Sequence, residues 1–376
     1  NAVYSIRQVC RVFKKIELPC DKRRVAKAFE RFRQTEAAFP EIQSYPEDRL
    51  RHFSDVSRIL WEEVFGSEFS TFGLVPKHGP GATAERVSGN AKYSHVVWYE
   101  RLERSFPVTE HYFTSVNHML CDKHGLEKMT MVPESSELPV RVITVPKTLK
   151  APRIIAIEPV CMQYTQQALS RWIVGQIQRS PLVKDVIRFN DQSYNQRMAL
   201  ASSLDGLSST LDLSDASDRV PLSLIELMFG WNRDLLDAIL ACRSRRAQLP
   251  DGTILNLRKF ASMGSALCFP VESMYFYTII VHAIFWKQGQ LPSRHQLLQL
   301  ARRINVFGDD IIIPKHETDT VIEALQFYNC KVNTTKSFWN GKFRESCGCD
   351  AYAGVDVTPI YVRQMRPSSR RATTGL

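Results

Sequence analysis

The sequence lacks any apolar run of 18 or more residues and any secretory signal. The nearest approach, residues 267–286, is interrupted by Glu272 and several polar side chains, so no membrane-spanning segment is predicted. The nine cysteines form no regular framework, and no second ligand pair accompanies Cys121 and His124 at zinc-binding spacing. A reducing compartment is therefore favoured over secretion, and Cys347 and Cys349 are interpreted as small packing residues.

Internal repeats, long low-complexity segments and a P-loop are also missing. The Gly- and Pro-rich basic stretch at residues 72–83 lacks the Gly-Lys-Ser/Thr ending of a P-loop. It is interpreted as a structural turn, with a loop that contacts phosphate or template as the alternative. The chain begins with Asn1 rather than Met, and we expect it to be a fragment of a longer protein.

The 376 residues are 44% hydrophobic and carry a net charge of +10. This composition is typical of a globular protein, and the charge favours a polyanionic partner, with nucleic acid ahead of an anionic membrane. The alternative is a basic protein without such a partner. The positive charge lies in scattered clusters, which fit an extended groove better than one patch: Lys14-Lys15, Lys22-Arg23-Arg24, Arg31 with Arg33, Arg243 with Arg245-Arg246, and Arg366 with Arg370-Arg371.

An acidic pair, Asp309-Asp310, follows Gly308 between two short segments rich in Val, Phe and Ile. The pattern predicts a hairpin whose turn presents two carboxylates, which are the ligands that Mg²⁺ prefers. A Gly-Asp-Asp triplet occurs by chance in about one chain in ten of this length. A solvated hairpin turn is therefore the alternative until other residues support a metal site.

A second acidic cluster, LDLSDASD at residues 211–218, supplies that support. Asp212 is predicted at the end of a short strand, and the next helix is predicted to end at Gly230. Ser217 or Asp218 can cap this helix, and Pro221 lies in its first turn. Because two-metal phosphoryl transfer draws carboxylates from separate strands, Asp212 is a candidate partner of Asp309 and Asp310.

The surrounding segments predict a mixed fold. Residues 140–159 read as a basic hairpin in which Arg141, Lys147 and Arg153 line a path for a triphosphate; a sheet edge protected by charge is the alternative. The small-residue loop 262–265 opens a long apolar helix, and Asn340-Gly341 predicts another hairpin turn. Together with helical periodicity in residues 1–70, this order indicates an α+β fold with a small antiparallel sheet that carries the acids.

These segments resemble, in order, the motifs of viral RNA-dependent RNA polymerases, and in detail the replicase β subunit of levivirus-like single-stranded RNA bacteriophages, to which narnavirus and ourmiavirus polymerases are related. The resemblance covers about residues 70–365. It rests on these stretches: RVITVPK at 141–147, IAIEP at 155–159, NDQ at 190–192, NQR at 195–197, LDLSDASD at 211–218, SMG at 262–264, GDD at 308–310 and FRESCG at 343–348.

The resemblance implies a role for each matching position. Asp212 falls on the first metal-binding acid of motif A, and Asp309 and Asp310 fall on the motif C pair. Asp218 corresponds to an acid that senses the ribose 2′-hydroxyl in related polymerases. Ser262 and Gly264 fall on the flexible motif B loop, and Arg141, Lys147 and Arg153 fall on the basic motif F. Lys336, ahead of Lys331, is the candidate for the motif D lysine that protonates pyrophosphate. Residues 343–348 correspond to the hairpin beside the primer end.

The implied fold is a right-hand polymerase of fingers, palm and thumb, with the thumb largely missing. The expected division is an N-terminal region and fingers at 1–205, palm with motif A at 206–235, a fingers insertion at 236–259, palm with motifs B to E at 260–365, and the start of a truncated thumb or tail at 366–376. The chain departs from many plus-strand polymerases at the motif B asparagine, near whose expected place Glu272 stands. This departure leaves the basis of sugar discrimination open.

The implied function is RNA-directed RNA polymerase activity, which replicates a positive-strand viral genome with two Mg²⁺ ions, Mn²⁺ being the alternative ion. RNA template, RNA product and ribonucleoside triphosphates are the implied partners, in the host cytoplasm. Known phage assemblies add host elongation factors Tu and Ts and ribosomal protein S1 as candidates. The alternatives are a non-catalytic RNA-binding remnant, a reverse transcriptase, against which Gly308 argues, and a two-metal nuclease.

Overall fold

The computed structural model describes residues 2–16, 18–113, 129–148 and 151–363. The Cys121–His124 pair, the basic cluster at residues 366–371 and the predicted tail at 366–376 lie outside the described residues. The described α-helices are α1 (Ala2–Arg11), α2 (Lys22–Ala37), α3 (Glu47–Phe65), α4 (Glu100–Glu103), α5 (Val108–His111), α6 (Val160–Arg179), α7 (Ser193–Asp205), α8 (Leu222–Phe229), α9 (Arg233–Ala241), α10 (Cys268–Lys287), α11 (Arg294–Ala301) and α12 (Thr318–Phe327).

The described strands form four small sheets. The strands are β1 (Val97–Tyr99), β2 (Thr130–Val132), β3 (Val140–Val145), β4 (Arg153–Ile157), β5 (Ser208–Asp212), β6 (Arg246–Gln248), β7 (Ile254–Asn256), β8 (Asn305–Phe307), β9 (Asp310–Pro314), β10 (Phe343–Ser346), β11 (Cys349–Tyr352) and β12 (Val355–Asp356). Helices are interspersed with separate small sheets in which most strand pairs are antiparallel, the exceptions being β1 with β2 and β3 with β6, so the α+β class is confirmed.

The central sheet has the order β5-β9-β8, and both of its strand pairs are antiparallel. Ile311, Ile312 and Ile313 of β9 are buried, as expected for the middle strand of a covered sheet. Helices α7 and α10 pack against the strands of this sheet. The acids at positions 212, 309 and 310 all lie at one end of it, which confirms the prediction that a small antiparallel sheet carries them.

Helix α10 is the centre of the main core. Its side chains are buried almost all round, from Cys268 to Phe285, and it contacts α3, α12 and β8. A helix that is apolar on every face requires this kind of burial. Among the described residues it alone is long and apolar enough to cross a membrane, and its packing against these elements accounts for that composition.

Helix α3 shows how the amino-terminal helices form. Acidic Glu47 and Asp48 stand in its first turn, where they complement the helix dipole, and Gly66 ends it with a positive φ of 78°. Its buried residues, which include Phe53, Leu60 and Trp61, recur at helical spacing. The helical interpretation of residues 1–70 is confirmed by α1, α2 and α3.

The four-stranded sheet has the order β4-β3-β6-β7, in which β3 and β4 form the predicted basic hairpin. A second, smaller core lies beside it and contains Phe32 of α2 with Val140, Val142 and Ala156 of the hairpin. Strand β4 is an edge of this sheet, so the two interpretations of the hairpin, sheet edge and substrate path, are compatible.

The hairpin predicted at Asn340-Gly341 is wrong. The segment before it forms a single bridge, Phe338 to Thr210, and the strand after it, β10, pairs instead with β11. The hairpin turn is Cys347-Gly348, and both residues have positive φ (48° and 78°), as the tightest hairpin turns require. The predicted cap at Ser217 or Asp218 is also wrong, because these residues form a separate short 3₁₀-helix and α8 begins after Pro221.

Candidate active site

The acidic hairpin is built from β8 and β9, with Gly308 and Asp309 as the two residues between the paired positions Phe307 and Asp310. Gly308 has a φ of 59°, and a Cβ at this position would lie 2.5 Å from the ring of Phe269. Glycine is therefore required twice, for the backbone angle and for the close approach of α10. Packing against α10 thus limits the freedom of the turn that presents Asp309.

Asp212 stands directly opposite Asp310 in the antiparallel register of β5 and β9. Opposed Cα atoms in such a pair lie about 4.5–5.5 Å apart, so residues separated by about a hundred positions in the sequence become neighbours. The backbone N–H of Asp212 donates to Ser337 Oγ at 3.1 Å. The two side-chain oxygens of Asp212 accept from Lys336 Nζ at 2.8 Å and Asn333 Nδ2 at 2.9 Å.

Asp309 is an exposed residue at the tip of the hairpin, but the protein around the tip still desolvates its carboxyl group in part. This desolvation and the charge of Asp212 raise the pKa of Asp309 above its ordinary value. Asp310 faces the β10–β11 hairpin, where its Oδ1 accepts from the backbone N–H of Cys347 at 3.0 Å and from Ser346 Oγ at 3.3 Å. Burial and the charge of Asp309 raise the pKa of Asp310 to about 7. The three carboxylates thus repel one another, and a bound cation would relieve this repulsion.

Lys336 lies on the segment that follows α12. Burial by itself would lower its pKa, but the hydrogen bond and charge of Asp212 raise the pKa overall. Lys331, the second motif D candidate, is exposed, and its backbone carbonyl accepts from the N–H of Ser214. The geometry therefore brings Lys336, and not Lys331, to the acids.

The three basic residues of the β3–β4 hairpin differ in their surroundings. Desolvation and the neighbouring Arg153 lower the pKa of Lys147, against the charges of Asp309 and Asp212, which raise it. Lys147 therefore lies on the side of the acids, with Arg153 as its neighbour. Arg141 instead donates to the carbonyl of Thr83 at 3.5 Å, at the end of the Gly- and Pro-rich loop.

The 262–265 loop is docked on strand β4. The N–H of Ala156 donates to the carbonyl of Met263 at 2.9 Å, and a Cβ at Gly264 would lie 1.9 Å from the carbonyl oxygen of Ala156. Ser262 Oγ is buried and has no hydrogen-bond partner among the described residues. The loop thus links the small-residue segment to the basic hairpin.

Glu272 lies beside this site, one turn into α10. Its side chain is 8% exposed, and its Oε1 is 3.4 Å from the place that a Gly308 Cβ would occupy. Burial and the charge of Asp309 raise its pKa well above the ordinary value. The residue predicted near the motif B asparagine position is thus a buried acid beside the turn that carries Asp309.

Two further pairs of residues at the site were not predicted. Asn333 and Ser337 bind the side chain and backbone of Asp212, and Lys259 donates to Asp218 Oδ1 at 2.9 Å with Glu36 close by. Val332, next to Asn333, forms a single isolated bridge to Leu213 beside Asp212. Nothing in the sequence pattern pointed to Lys259 or Glu36.

The donor set fits Mg²⁺ or Mn²⁺, since all three acids supply oxygen, and burial together with neighbouring acids raises the pKa values of Asp309 and Asp310. Within the described ranges, no three His, Cys, Asp or Glu side chains form a ready-made metal cage. Mg²⁺ is ordinarily bound by one or two carboxylates plus substrate phosphates, so an open arrangement is the expected one.

The RNA replicase beta-chain family model matches residues 104–369, more than half of the chain. The chain is 33% identical over 288 residues to the RNA-directed RNA polymerase subunit beta of Qbeta virus (strain MX1), covering 76% of this chain and 44% of that protein. It is 37% identical over 226 residues to the RNA-directed RNA polymerase beta chain of Escherichia phage MS2, covering 59% and 37%. The chain thus spans less than half the length of these relatives.

Among solved structures, the RNA-dependent RNA polymerase of a human picorbirnavirus is 13% identical to this chain; the match covers 60% of this chain and 46% of that polymerase, with a TM-score of 0.41. The residues matched by the family model include both acidic turns, the basic hairpin and the 262–265 loop. The chain therefore belongs to the RNA replicase beta-chain family.

Proposed function

We propose that this chain carries the catalytic palm of an RNA-directed RNA polymerase, which adds ribonucleotides to an RNA 3′ end under the direction of a template. The observation that carries the proposal is the meeting of Asp212, Asp309 and Asp310 at one end of the β5-β9-β8 sheet. The curated relatives bear the name of this activity. The domain boundaries and the missing thumb stay predictions.

In this proposal Asp212 and Asp309 are the principal ligands of two Mg²⁺ ions, and Asp310 assists. When bound, the metal ions lower the pKa of the attacking hydroxyl and neutralise charge on the phosphates. The hydrogen bonds that Asp310 accepts from Cys347 and Ser346 orient its carboxylate, so this residue also ties the β10–β11 hairpin to the acidic turn.

The basic residues around the acids provide for the triphosphate. Lys147 and Arg153 supply fixed positive charge near the acids, where a triphosphate needs it during transfer. Arg141 contacts the Gly- and Pro-rich loop through its hydrogen bond to the carbonyl of Thr83. Lys336 is the proton donor to pyrophosphate, since its ammonium contacts Asp212 at the metal-binding end of the sheet and is protonated at neutral pH.

The ribose is expected to lie between Asp218 and the 262–265 loop. Asp218 is the residue that senses the 2′-hydroxyl, and Ser262 has a hydroxyl without a partner that can turn to the nucleotide. Gly264 permits the loop to approach strand β4. The template backbone would be held by scattered basic side chains, with its sequence read by base pairing.

The wider setting follows from the family. The partners are RNA template and product and ribonucleoside triphosphates, and the location is the cytoplasm of the infected host. Elongation factors Tu and Ts and ribosomal protein S1 are candidate partners, since the relatives are named as subunits. Co-purification from infected cells tests them.

Asp309→Asn tests the catalytic assignment in a primer-extension assay on the full-length protein. The change keeps the shape of the side chain but removes a charge that faces the reacting phosphates. We expect ribonucleotide incorporation to fall by at least about 100-fold, the scale on which a principal electrostatic contact acts. Near wild-type synthesis by this variant refutes the proposal.

Ribo- and deoxyribonucleotides are supplied separately, and pyrophosphate release is followed in parallel. Preferential use of deoxyribonucleotides indicates a reverse transcriptase, and strand cleavage without pyrophosphate indicates a nuclease. Asp319→Asn, on the first turn of α12, is the control for removing an aspartate outside the site.

A further inference from the structure

Helix α2 lies outside the residues that the family model matches, yet it reaches the turn that carries Asp218. Its inward residues Phe32 and Glu36 are 3% and 5% exposed. Phe32 belongs to the small core beneath the basic hairpin, so α2 packs as part of the folded unit. The carboxylate of Glu36 is thereby carried into the interior, where a charge is costly without a partner.

That partner is Lys259, whose side chain is completely buried. Its Nζ donates to Asp218 Oδ1 at 2.9 Å, lies 3.4 Å from Glu36 Oε2 and stands 3.5 Å from the centre of the Phe32 ring. Glu36 Oε1 in turn accepts from the backbone N–H groups of Arg258 and Lys259. One buried ammonium is thus shared between two carboxylates and an aromatic face.

The backbone on both sides of this contact is fixed as well. The N–H of Leu222 donates to the carbonyl of Arg258 at 3.0 Å, and the N–H of Phe260 donates to the carbonyl of Val220 at 2.8 Å. These bonds bracket Lys259 against the segment that follows Asp218. Because the stem of Lys259 has no space in which to change conformation, the direction of its ammonium determines where Asp218 Oδ1 can lie.

The Asp218 side chain remains 22% exposed, so Lys259 holds it without enclosing it. A second contact joins α2 to the same turn, since Arg31 forms an ion pair with Asp215, which has a positive φ of 54°. Helix α2 therefore supports residues 215–218 directly through the Arg31–Asp215 ion pair and indirectly through Lys259, which pairs with both Glu36 and Asp218.

We propose that Lys259, anchored by Glu36 and Phe32 of α2, is the positioning residue that orients Asp218 for recognition of the ribose 2′-hydroxyl. The inference rests on the proposed function. It adds that helix α2 takes part in sugar selection, because the buried Lys259 forms ion pairs with both Glu36 of α2 and Asp218. Lys259 touches no substrate in this account, and its effect passes wholly through Asp218.

The test measures kcat/KM for UTP and dUTP on one primed template with the full-length protein, and compares the ratio between variants. Lys259→Met removes the charge but keeps an apolar stem of similar length. A hydrogen bond to a charged group is worth about a factor of ten or more, so the preference for UTP should fall about tenfold. The loss should appear mainly as faster dUTP incorporation, with UTP turnover changed less, whereas general damage would slow both.

Glu36→Gln is the second variant, since it keeps the acceptor for the backbone N–H groups and the Lys259–Asp218 bond. It should lower the UTP preference in the same direction by a smaller factor, and it decides the question if Lys259→Met does not fold. Arg33→Gln is the matched control on the same helix, because Arg33 pairs with Asp251 at the exposed surface and should leave the ratio unchanged.

The double variant Lys259→Met with Asp218→Asn completes a double-mutant cycle with the two single variants. If Lys259 acts through Asp218, the double variant discriminates no worse than Asp218→Asn alone. A folded Lys259→Met or Glu36→Gln protein with the wild-type ratio overturns the inference while polymerase activity stands. Absence of ribonucleotide incorporation by the unchanged full-length protein overturns the proposed function itself, and the inference with it.

Discussion

Replacing Gly264 with alanine probes how closely the 262–265 loop packs on strand β4. The added Cβ would lie 1.9 Å from the carbonyl oxygen of Ala156, well under the 3.0 Å below which real Cβ contacts essentially do not occur. The obstacle is backbone and cannot rotate away, so the loop must move by about 1 Å and stretch the bond between the Ala156 N–H and the Met263 carbonyl.

Two costs contribute to the expected loss of stability. A non-glycine residue at the φ of 130° found at Gly264 costs about 1–3 kcal/mol, and overpacking a filled site costs about 1–3 kcal/mol more. We expect Gly264→Ala to lower the free energy of unfolding by about 3 kcal/mol in urea denaturation monitored by circular dichroism. Nucleotide incorporation should fall as well, because the displaced loop borders the site.

Gly252→Ala is the matched control. Gly252 also has a positive φ, 87°, but nothing lies within 4 Å of its added Cβ, so this variant bears the backbone cost alone. Gly252→Ala should lower the free energy of unfolding by about 1 kcal/mol. If Gly264→Ala costs no more than Gly252→Ala, the close packing of the loop on Ala156 is refuted, and with it the role given to Gly264.

Two other changes test the surroundings of the site. Burial raises the pKa of Glu158 to about 7, against the hydrogen bond from Ser244, so the folded protein keeps a proton that the unfolded chain releases near pH 4.5. Glu158 should therefore lower the free energy of unfolding by up to about 3 kcal/mol as the pH rises from 4.5 to 7. In denaturation curves taken across that range, Glu158→Gln should reduce the decline by this amount and leave the part that Asp310 and Glu272 contribute. Lys336→Ala removes the ammonium that contacts Asp212, and it should lower the rate constant of single-turnover extension about 100-fold. The control Lys331→Ala changes an exposed lysine and should leave this rate constant unchanged. Equal rates for the two variants would contradict the assignment of Lys336 as proton donor.

Local patterns in the sequence were sufficient to locate most elements. Helical periodicity in residues 1–70 predicted α3, and the extended pattern of residues 140–159 predicted the β3–β4 hairpin. The acidic turns at Asp212 and Asp309 were also identified locally, because glycine and aspartate between β-forming runs have few other arrangements. These features depend on neighbours within a few positions.

The failed turn prediction has a clear physical cause. Asn340-Gly341 is the dipeptide that hairpin turns favour, but Phe338 bridges to Thr210 of the central sheet and is not available to pair with β10. Cys347 adopts a positive φ that its type rarely takes, because Asp310 holds its backbone N–H. Tertiary contacts therefore overrode the local preference of both dipeptides.

The sequence by itself determined which residues carry charge at turns and which strands and helices form, since these depend on short-range periodicity and backbone preference. Only the tertiary structure decided which charges meet. The register of β5 on β9 sets Asp212 opposite Asp310, and burial of α2 brings Glu36 to Lys259 and so to Asp218. Such pairings join positions far apart in the chain and leave no periodic signal, because what selects them is the burial of charge in the folded core.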